Sequence, residues 1–382
     1  MNKHSTSIAS LLRGFPRFDF QSIVDEYHGE KGVRTLSTYH TLTALLYGQI
    51  TSAFGMREIV KTLEANRNKL YHSGLSEVKR STLSDALEKR NQHIFERAFF
   101  CTLDKARQLS GRTRRKFHNP LKIIDATTIE LCLRRFDWAK FRRGKGAMKI
   151  HLCYDADSYL PDQVRLSSGE VHDVRMLNSF HLDEGEIGVL DRGYLDFNRL
   201  HSIHLRGAYF VTRMKRNIKY TVLEQRQLPT GGAVRSDCLI RLANSKAYPE
   251  VLRLVEYYDA EYERAYLFLT NNLELSAQQI ADIYKERWQI ELFFKWLKQN
   301  LKIKTFWGTS RNAVFIQIWV ALILYLLLWM MKAIHGFQIT LQKLLQVLKT
   351  IPFDRRPVAE LLSPRKTSPP LELNYCLWGS SR

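Results

Sequence analysis

From Ala313 to Met331 the chain reads AVFIQIWVALILYLLLWMM, 19 residues in which Gln317 is the one clearly polar side chain. A helix of that length reaches ~30 Å, the depth of a bilayer's hydrocarbon core. Only two kinds of fold satisfy such a helix: one that passes it through a membrane, and one that packs protein around every side of it. No other segment resembles a membrane span, and a cation-rich helical stretch stands close before this one. The expectation is therefore a buried helix, no membrane, and a large core.

A core that large is available, because the chain has 382 residues and is 45% hydrophobic. That allows one large domain with an insertion, or two to three modest ones. Charge then narrows the partner. Lys and Arg number 58 against 38 Asp and Glu, a net +20. The self-repulsion this costs is relieved by a polyanion, nucleic acid first and anionic lipid second. Residues 101–150 hold 14 cations against 4 anions, so ten of the twenty net charges fall in that stretch. The cysteines (Cys101, Cys132, Cys153, Cys238 and Cys376) are odd in number and form no C-x-x-C pair, which reads as reduced thiols in the cytoplasm. The first residues, MNKHST, lack the apolar core of a secretion signal.

Residues 1–110 show apolar positions at helical spacing over Leu36–Ile50, Met56–Leu70 and Leu83 to about Leu109, with Ser81 as the expected N-cap of the third helix. Lys79, Arg80, Lys89 and Arg90 near that start suit a DNA-binding helical module, and a bundle that only packs on the rest suits the pattern equally. After a basic linker at 111–118, short strands are expected at Leu121–Asp125, Thr128–Leu133, Lys149–Asp155 and Ile187–Asp191. The loop RRFDWAKFRRGKG (134–146) interleaves cations with aromatics and glycines, as a segment touching a phosphate backbone would; Arg142, Arg143 and Lys145, with Lys149 just beyond, are its candidate DNA contacts. Residues 206–272 read mainly as β, with a turn at Pro229-Thr-Gly-Gly232, and helices return from about Ser276 to His335. A proline-punctuated tail closes the chain.

Asp125 and Asp191 each follow a short apolar run, where a carboxylate can project from a sheet edge. Further on, YKERWQIELFFKWLK forms a helical stripe. At ~100° per residue Tyr284, Arg287, Glu291 and Lys298 fall within an arc of about 60°, Lys295 lies beside them, and Ile283, Ile290, Phe293, Phe294 and Leu297 face the opposite way. One carboxylate among cations and a phenol suits a metal beside bound phosphates; a salt-bridged surface fits the same spacing. Three separated carboxylates can hold two divalent ions for in-line phosphoryl displacement, and oxygen donors suit Mg²⁺. His172 and Asp173 are expected to stand outside that centre.

These residues resemble the bacterial insertion-sequence DDE transposases that carry a Tyr-Arg-Glu-Lys signature, the IS-four family. The signature Y-x2-R-x3-E-x6-K is met at Tyr284, Arg287, Glu291 and Lys298; an apolar strand ending in Asp, with a Thr beyond, is met at Ile123–Thr127; and strand-Asp-x-Gly-Tyr is met at Leu190–Tyr194. The resemblance covers about residues 120–335. It implies an α/β fold: an RNase H-like catalytic core, a mixed sheet flanked by helices, interrupted by a mainly β insertion and preceded by a helical domain. Mapped onto this chain, it implies an N-terminal helical, DNA-binding domain at 1–115, core parts at 116–214 and 274–345, the insertion at 215–273, and a tail at 346–382.

The resemblance further implies that Asp125, Asp191 and Glu291 are the catalytic and metal-binding carboxylates. They would use two Mg²⁺ ions, for which Mn²⁺ can substitute. Tyr284, Arg287 and Lys298 would contact phosphates of the transposon end, with Lys295 alongside. The partners would be double-stranded DNA of the terminal inverted repeats and the target, met as a homodimer on the nucleoid in the cytoplasm. Two other readings fit the sequence: a catalytically silent DNA-binding relative, and a nuclease of the same fold that does not transpose.

Overall fold

The computed structural model describes residues 6–71, 74–110, 117–228, 232–243 and 246–362. Most of the basic linker, three residues of the Pro229–Gly232 turn and the tail beyond 362 lie outside them.

The first 110 residues form the expected helical region: α1 (Ser7–Leu12), α2 (Arg17–Glu26), α3 (Thr38–Thr51), α4 (Met56–Ala65), α5 (Arg67–Leu70), α6 (Arg80–Lys89) and α7 (Gln92–Ser110). The single helix expected over Leu83–Leu109 is two, because Arg90 leaves helical geometry with ψ 135°. Its guanidinium is buried and donates to the carbonyls of Gly29 and Leu36, so Arg90 pins a loop and is withdrawn from any DNA-facing surface. Ser81 is not the N-cap either; Lys79 occupies that position and α6 opens at Arg80.

A mixed sheet of ten strands follows: β1 (Leu121–Leu131), β2 (Lys140–Arg142), β3 (Lys145–Asp155), β4 (Leu160–Ser168), β5 (Ile187–Leu190), β6 (Tyr209–Arg213), β7 (Tyr220–Gln225), β8 (Val234–Leu242), β9 (Leu252–Asp259) and β10 (Arg264–Thr270). Helices α8 (Asp173–Met176) and α9 (Phe197–Leu205) bracket β5. The order is β2-β3-β1-β5-β6-β10-β9-β8-β7, with β4 also paired to β3. Strands β1, β5 and β6 run parallel and the other pairs antiparallel. This is the expected RNase H-like mixed sheet. The β-rich insertion does not make a sheet of its own, since β10 pairs with β6 and continues the central one.

Two strands expected at Leu121–Asp125 and Thr128–Leu133 are one. The antiparallel partner β3 accompanies β1 all the way from Lys122 to Leu131, so nothing stops the strand after Asp125. On the other side β5 pairs only as far as Ile124, opposite Leu190. Asp125 therefore lies in mid-strand, at the point where its parallel neighbour ends.

The C-terminal helices are α10 (Ala277–Lys285), α11 (Trp288–Asn300), α12 (Arg311–His335), α13 (Leu341–Thr350) and α14 (Val358–Leu362). The apolar run lies in α12, capped by the Ser310 hydroxyl at one end and by left-handed Gly336 (φ 62°) at the other. It is buried inside the protein, every residue from Ala313 to Leu328 being enclosed, and it packs against α1, α3, α6, α7 and α13. Its one polar interior side chain is satisfied. The Gln317 amide donates to the carbonyls of Lys302 (2.6 Å) and Thr305 (2.9 Å), and its oxygen accepts from the Trp307 N–H (2.9 Å). The start of the expected tail is not loose, because the Pro352 and Asp354 carbonyls accept from the Ile8 and Ser7 N–H groups.

Candidate active site

Asp125 and Asp191 stand side by side because β1 and β5 are parallel and in register through Ile124 and Leu190; each aspartate is the next residue along. Asp191 then caps a single 3-10 turn, Arg192–Tyr194, accepting from the Gly193 N–H at 3.4 Å. The exit turn read from Asp-Arg-Gly-Tyr is thus present.

The Tyr-Arg-Glu-Lys signature does not lie on one helix. Tyr284 is the penultimate residue of α10, Glu286 and Arg287 form a tightened turn that keeps right-handed helical φ and ψ, and Glu291 and Lys298 ride on α11. The apolar side is as expected, with Ile283, Ile290, Phe293, Phe294 and Leu297 buried. Tyr284 is nearly buried as well, its ring 4.8 Å from that of Phe268, and its hydroxyl reaches Asp191 Oδ1 at 3.5 Å.

From this turn Arg287 reaches the sheet. One Nη donates to Asp125 Oδ2 at 3.2 Å and the other to Glu291 Oε1, so a single guanidinium joins a strand carboxylate to a helix carboxylate. Asp191 has its own arginine: Arg213, the last residue of β6, donates to Oδ1 at 2.9 Å. The sequence offered no sign of Arg213, whose place follows from Leu190 pairing with Thr212 across β5 and β6.

Protonation follows these partners. Burial pushes the Asp125 carboxyl up to about 6; the Ala126 N–H and Arg287 pull it down, and Asp191 and Glu291 push it further up. Asp191 is also raised by burial, yet the Arg213 hydrogen bond and the Arg192 backbone N–H win and hold it below the usual carboxylate range. Burial raises the Tyr284 phenol to about 12. The phenol therefore stays protonated and can donate.

An open groove of about 500 Å³ runs along this centre, lined by Asp125, Ala126, Thr127, Glu291, Phe294, Lys295, Lys298, Gln299 and Lys304. Burial and the neighbouring Lys304 both lower the Lys298 ammonium, and Glu130 opposes them, so two like charges face one space there. Lys304 was missed in the sequence, although the spacing Lys298-x3-Lys302-x-Lys304 marks a run of cations. Arg142, Arg143 and Lys145 are exposed on the β2–β3 hairpin, which turns at Gly144 (φ 74°). Lys149 is not available in that way. It is buried in β3 and donates to the Val171 carbonyl (2.8 Å) and to Asp173 (3.0 Å). The Lys149 contact with DNA is therefore withdrawn, since its ammonium is buried against the Val171 carbonyl and Asp173 in a strand covered on both faces.

The donor set is all oxygen and suits a hard divalent ion. A carboxyl raised by burial, and pushed further by two carboxylate neighbours, is a place where added positive charge is stabilising. Among the described residues no three acidic, His or Cys side chains converge as a ready ion cage. Arg287 and Arg213 stand among the carboxylates instead.

Comparison with known proteins adds the following. A sequence profile described as "Transposase DDE domain" matches residues 116–327, and one described as a domain of unknown function matches residues 3–76. The chain is 32% identical over 296 residues to "Putative transposase y4zB" of Sinorhizobium fredii, which covers 75% of this chain and 81% of that one. It is 28% identical over 330 residues to "Probable transposase for insertion sequence element IS5377" of Geobacillus stearothermophilus, covering 86% and 85%. It is also 28% identical over 257 residues to "Putative transposase for insertion sequence element IS4SA" of Synechocystis, covering 65% and 70%.

Proposed function

Since this chain belongs to the family of transposases with a DDE domain, we propose that it cleaves DNA at the ends of its own insertion sequence and joins the freed 3′-OH ends to target DNA. The observation that supports this reading is that Asp125 and Asp191 lie on neighbouring parallel strands while Arg287 links Asp125 to Glu291, beside an open groove lined by Lys295, Lys298 and Lys304. Together the three carboxylates would hold two Mg²⁺ ions, with Mn²⁺ able to substitute; when bound, such ions polarise the scissile phosphate and stabilise the attacking and leaving oxygens.

The chain's own groups position the DNA. Lys298 and Lys304, with Lys295 at the rim, would track the backbone phosphates along the groove. The protonated Tyr284 hydroxyl and the Arg287 guanidinium would donate to the phosphate at the element's end. Exposed Arg142, Arg143 and Lys145 would hold the flanking duplex. In the first step a water oxygen bonds to phosphorus and the bond from phosphorus to O3′ breaks, freeing a 3′-OH. In the second, that 3′-OH attacks a target phosphate and displaces the target's own O3′.

The helical region within 1–115 would help bind DNA, 116–214 and 274–345 would form the catalytic core, 215–273 the insertion, and 346–382 a C-terminal extension. Two ends cut together call for two copies, so a homodimer on DNA is proposed, acting in the cytoplasm on nucleoid DNA. The test is cleavage of DNA carrying the inverted repeats that flank the coding region, in Mg²⁺. Nicked and strand-transfer products are expected from the natural chain and none from Asp125→Ala, Asp191→Ala or Glu291→Ala. Cleavage surviving in these variants would overturn the assignment.

A further inference from the structure

We propose that Arg287 and Arg213 are internal counter-ions that keep the carboxylate centre closed to metal until DNA phosphates draw them away, so that DNA binding and metal binding strengthen one another. The proposal rests on the reading above and concerns how that site is regulated.

Every carboxylate of the centre is engaged by an arginine in the DNA-free protein. Arg287 bridges Asp125 and Glu291, and Arg213 holds Asp191. These guanidinium groups engage one oxygen of each carboxylate, and each contributes a full positive charge beside the place a cation would take. Metal binding to the free chain must therefore displace an ion pair that is largely shielded from water, with side chains only 17% and 26% exposed.

Neither arginine is fully satisfied where it stands. Both Nε–H groups are buried without a partner, and an unpaired buried donor costs free energy. A phosphate would accept from the whole guanidinium edge, Nε–H and Nη–H together, in the bidentate geometry that arginine favours. Arg287 sits at the tightened turn between α10 and α11, and Arg213 is the last residue of β6. The Tyr284 ring lies 5.7 Å from one guanidinium and 5.9 Å from the other, an aromatic surface against which both can swing without losing all stabilisation. Any factor by which DNA tightens metal binding must appear, by linkage, as the factor by which metal tightens DNA binding.

The test uses the full chain, Mn²⁺ as probe ion followed by its EPR signal, and a short fluorescein-labelled DNA duplex followed by anisotropy at constant ionic strength. Without DNA, Arg287→Gln and Arg213→Gln are each expected to bind Mn²⁺ at least about fivefold more tightly than the natural chain, the low end of ordinary coupling between sites. In the natural chain Mn²⁺ is expected to tighten duplex binding by a similar factor, and in Arg287→Gln that gain is expected to shrink towards one. Circular dichroism melts check that both variants fold, and either variant alone is sufficient. Unchanged Mn²⁺ affinity in the folded DNA-free variants overturns the proposal, as does an undiminished Mn²⁺ gain in Arg287→Gln. A chain that binds no duplex at all counts against the transposase reading, and the DNA-free comparison still decides the counter-ion role.

Discussion

Replacing Gln317 by Leu tests whether the long apolar helix is held in place by its one polar interior residue. The substitution keeps the volume roughly and removes the amide. It leaves the buried Trp307 N–H without an acceptor and takes one donor from each of the Lys302 and Thr305 carbonyls. Lys302 keeps the bond from Gln49 Nε2 (3.2 Å), so its loss is partial. An orphaned buried N–H costs about 1–3 kcal/mol and a lost bond to a carbonyl about 1, while the new leucine returns roughly 1 by burying hydrocarbon. The net is a loss of about 1–3 kcal/mol, a large part of the ~5–15 kcal/mol that ordinarily separates folded from unfolded. Urea unfolding of the two proteins measures it. Gln49→Leu orphans the Lys302 N–H of the same segment (2.8 Å in the natural chain) and removes the other side-chain donor to the Lys302 carbonyl, so the double variant strips that carbonyl of both donors and should lose more than the sum of the single ones. That segment carries Lys304 into the groove, so duplex binding should weaken in the folded variants too. A loss under about 0.5 kcal/mol, or strict additivity of the pair, would refute the reasoning.

Three other outcomes are expected. Burial holds neutral His151 down at about 4, with Asp173 opposing and Lys149 assisting; in the unfolded chain it titrates at its ordinary 6.5. The unfolded state therefore binds the extra proton, and about 3 kcal/mol of stability is lost as pH falls from 6.5 to 4. Asp125, raised to about 6, acts with the opposite sign in the same window, so the acid-side slope of His151→Gln measured against the natural chain isolates the histidine. A Cβ at Gly48 would lie 2.5 Å from Ile59 Cδ1 and 2.8 Å from the Trp307 ring, so Gly48→Ala should lower stability by about 1–3 kcal/mol in thermal melts despite alanine's better helix propensity. Neutralising Arg142, Arg143 and Lys145 should reduce the salt slope of duplex binding by as much as about 2.7. Lys149→Met should leave that slope unchanged and lower the melting temperature, because its charge is engaged with Asp173 and the Val171 carbonyl.

Much of this protein is legible in its sequence because the signals are local. An apolar run too long for an amphipathic surface helix has to be enclosed, and α12 is. The run Ile-Gly-Val-Leu before Asp191, the tight Arg-Gly-Tyr exit and the apolar face of α11 each depend on residues within a turn or two of one another. What the tertiary structure alone decided depends on partners distant in the chain. Asp125 looked like a strand end; it is a mid-strand residue placed beside Asp191 only because β5 stops opposite Ile124. Strand alternation sets which face Lys149 takes, yet it cannot say that Asp173 waits there. No spacing announces Arg213, whose reach to Asp191 exists only once β5 and β6 are in register. The helical stripe likewise placed Glu291 near Arg287, but that Arg287 also reaches Asp125, 162 residues away, follows from how this helical segment packs beside β1. Local periodicity determines which residues are buried or carry charge; packing decides which charges meet, because ion pairs form across whichever gap the sheet register leaves.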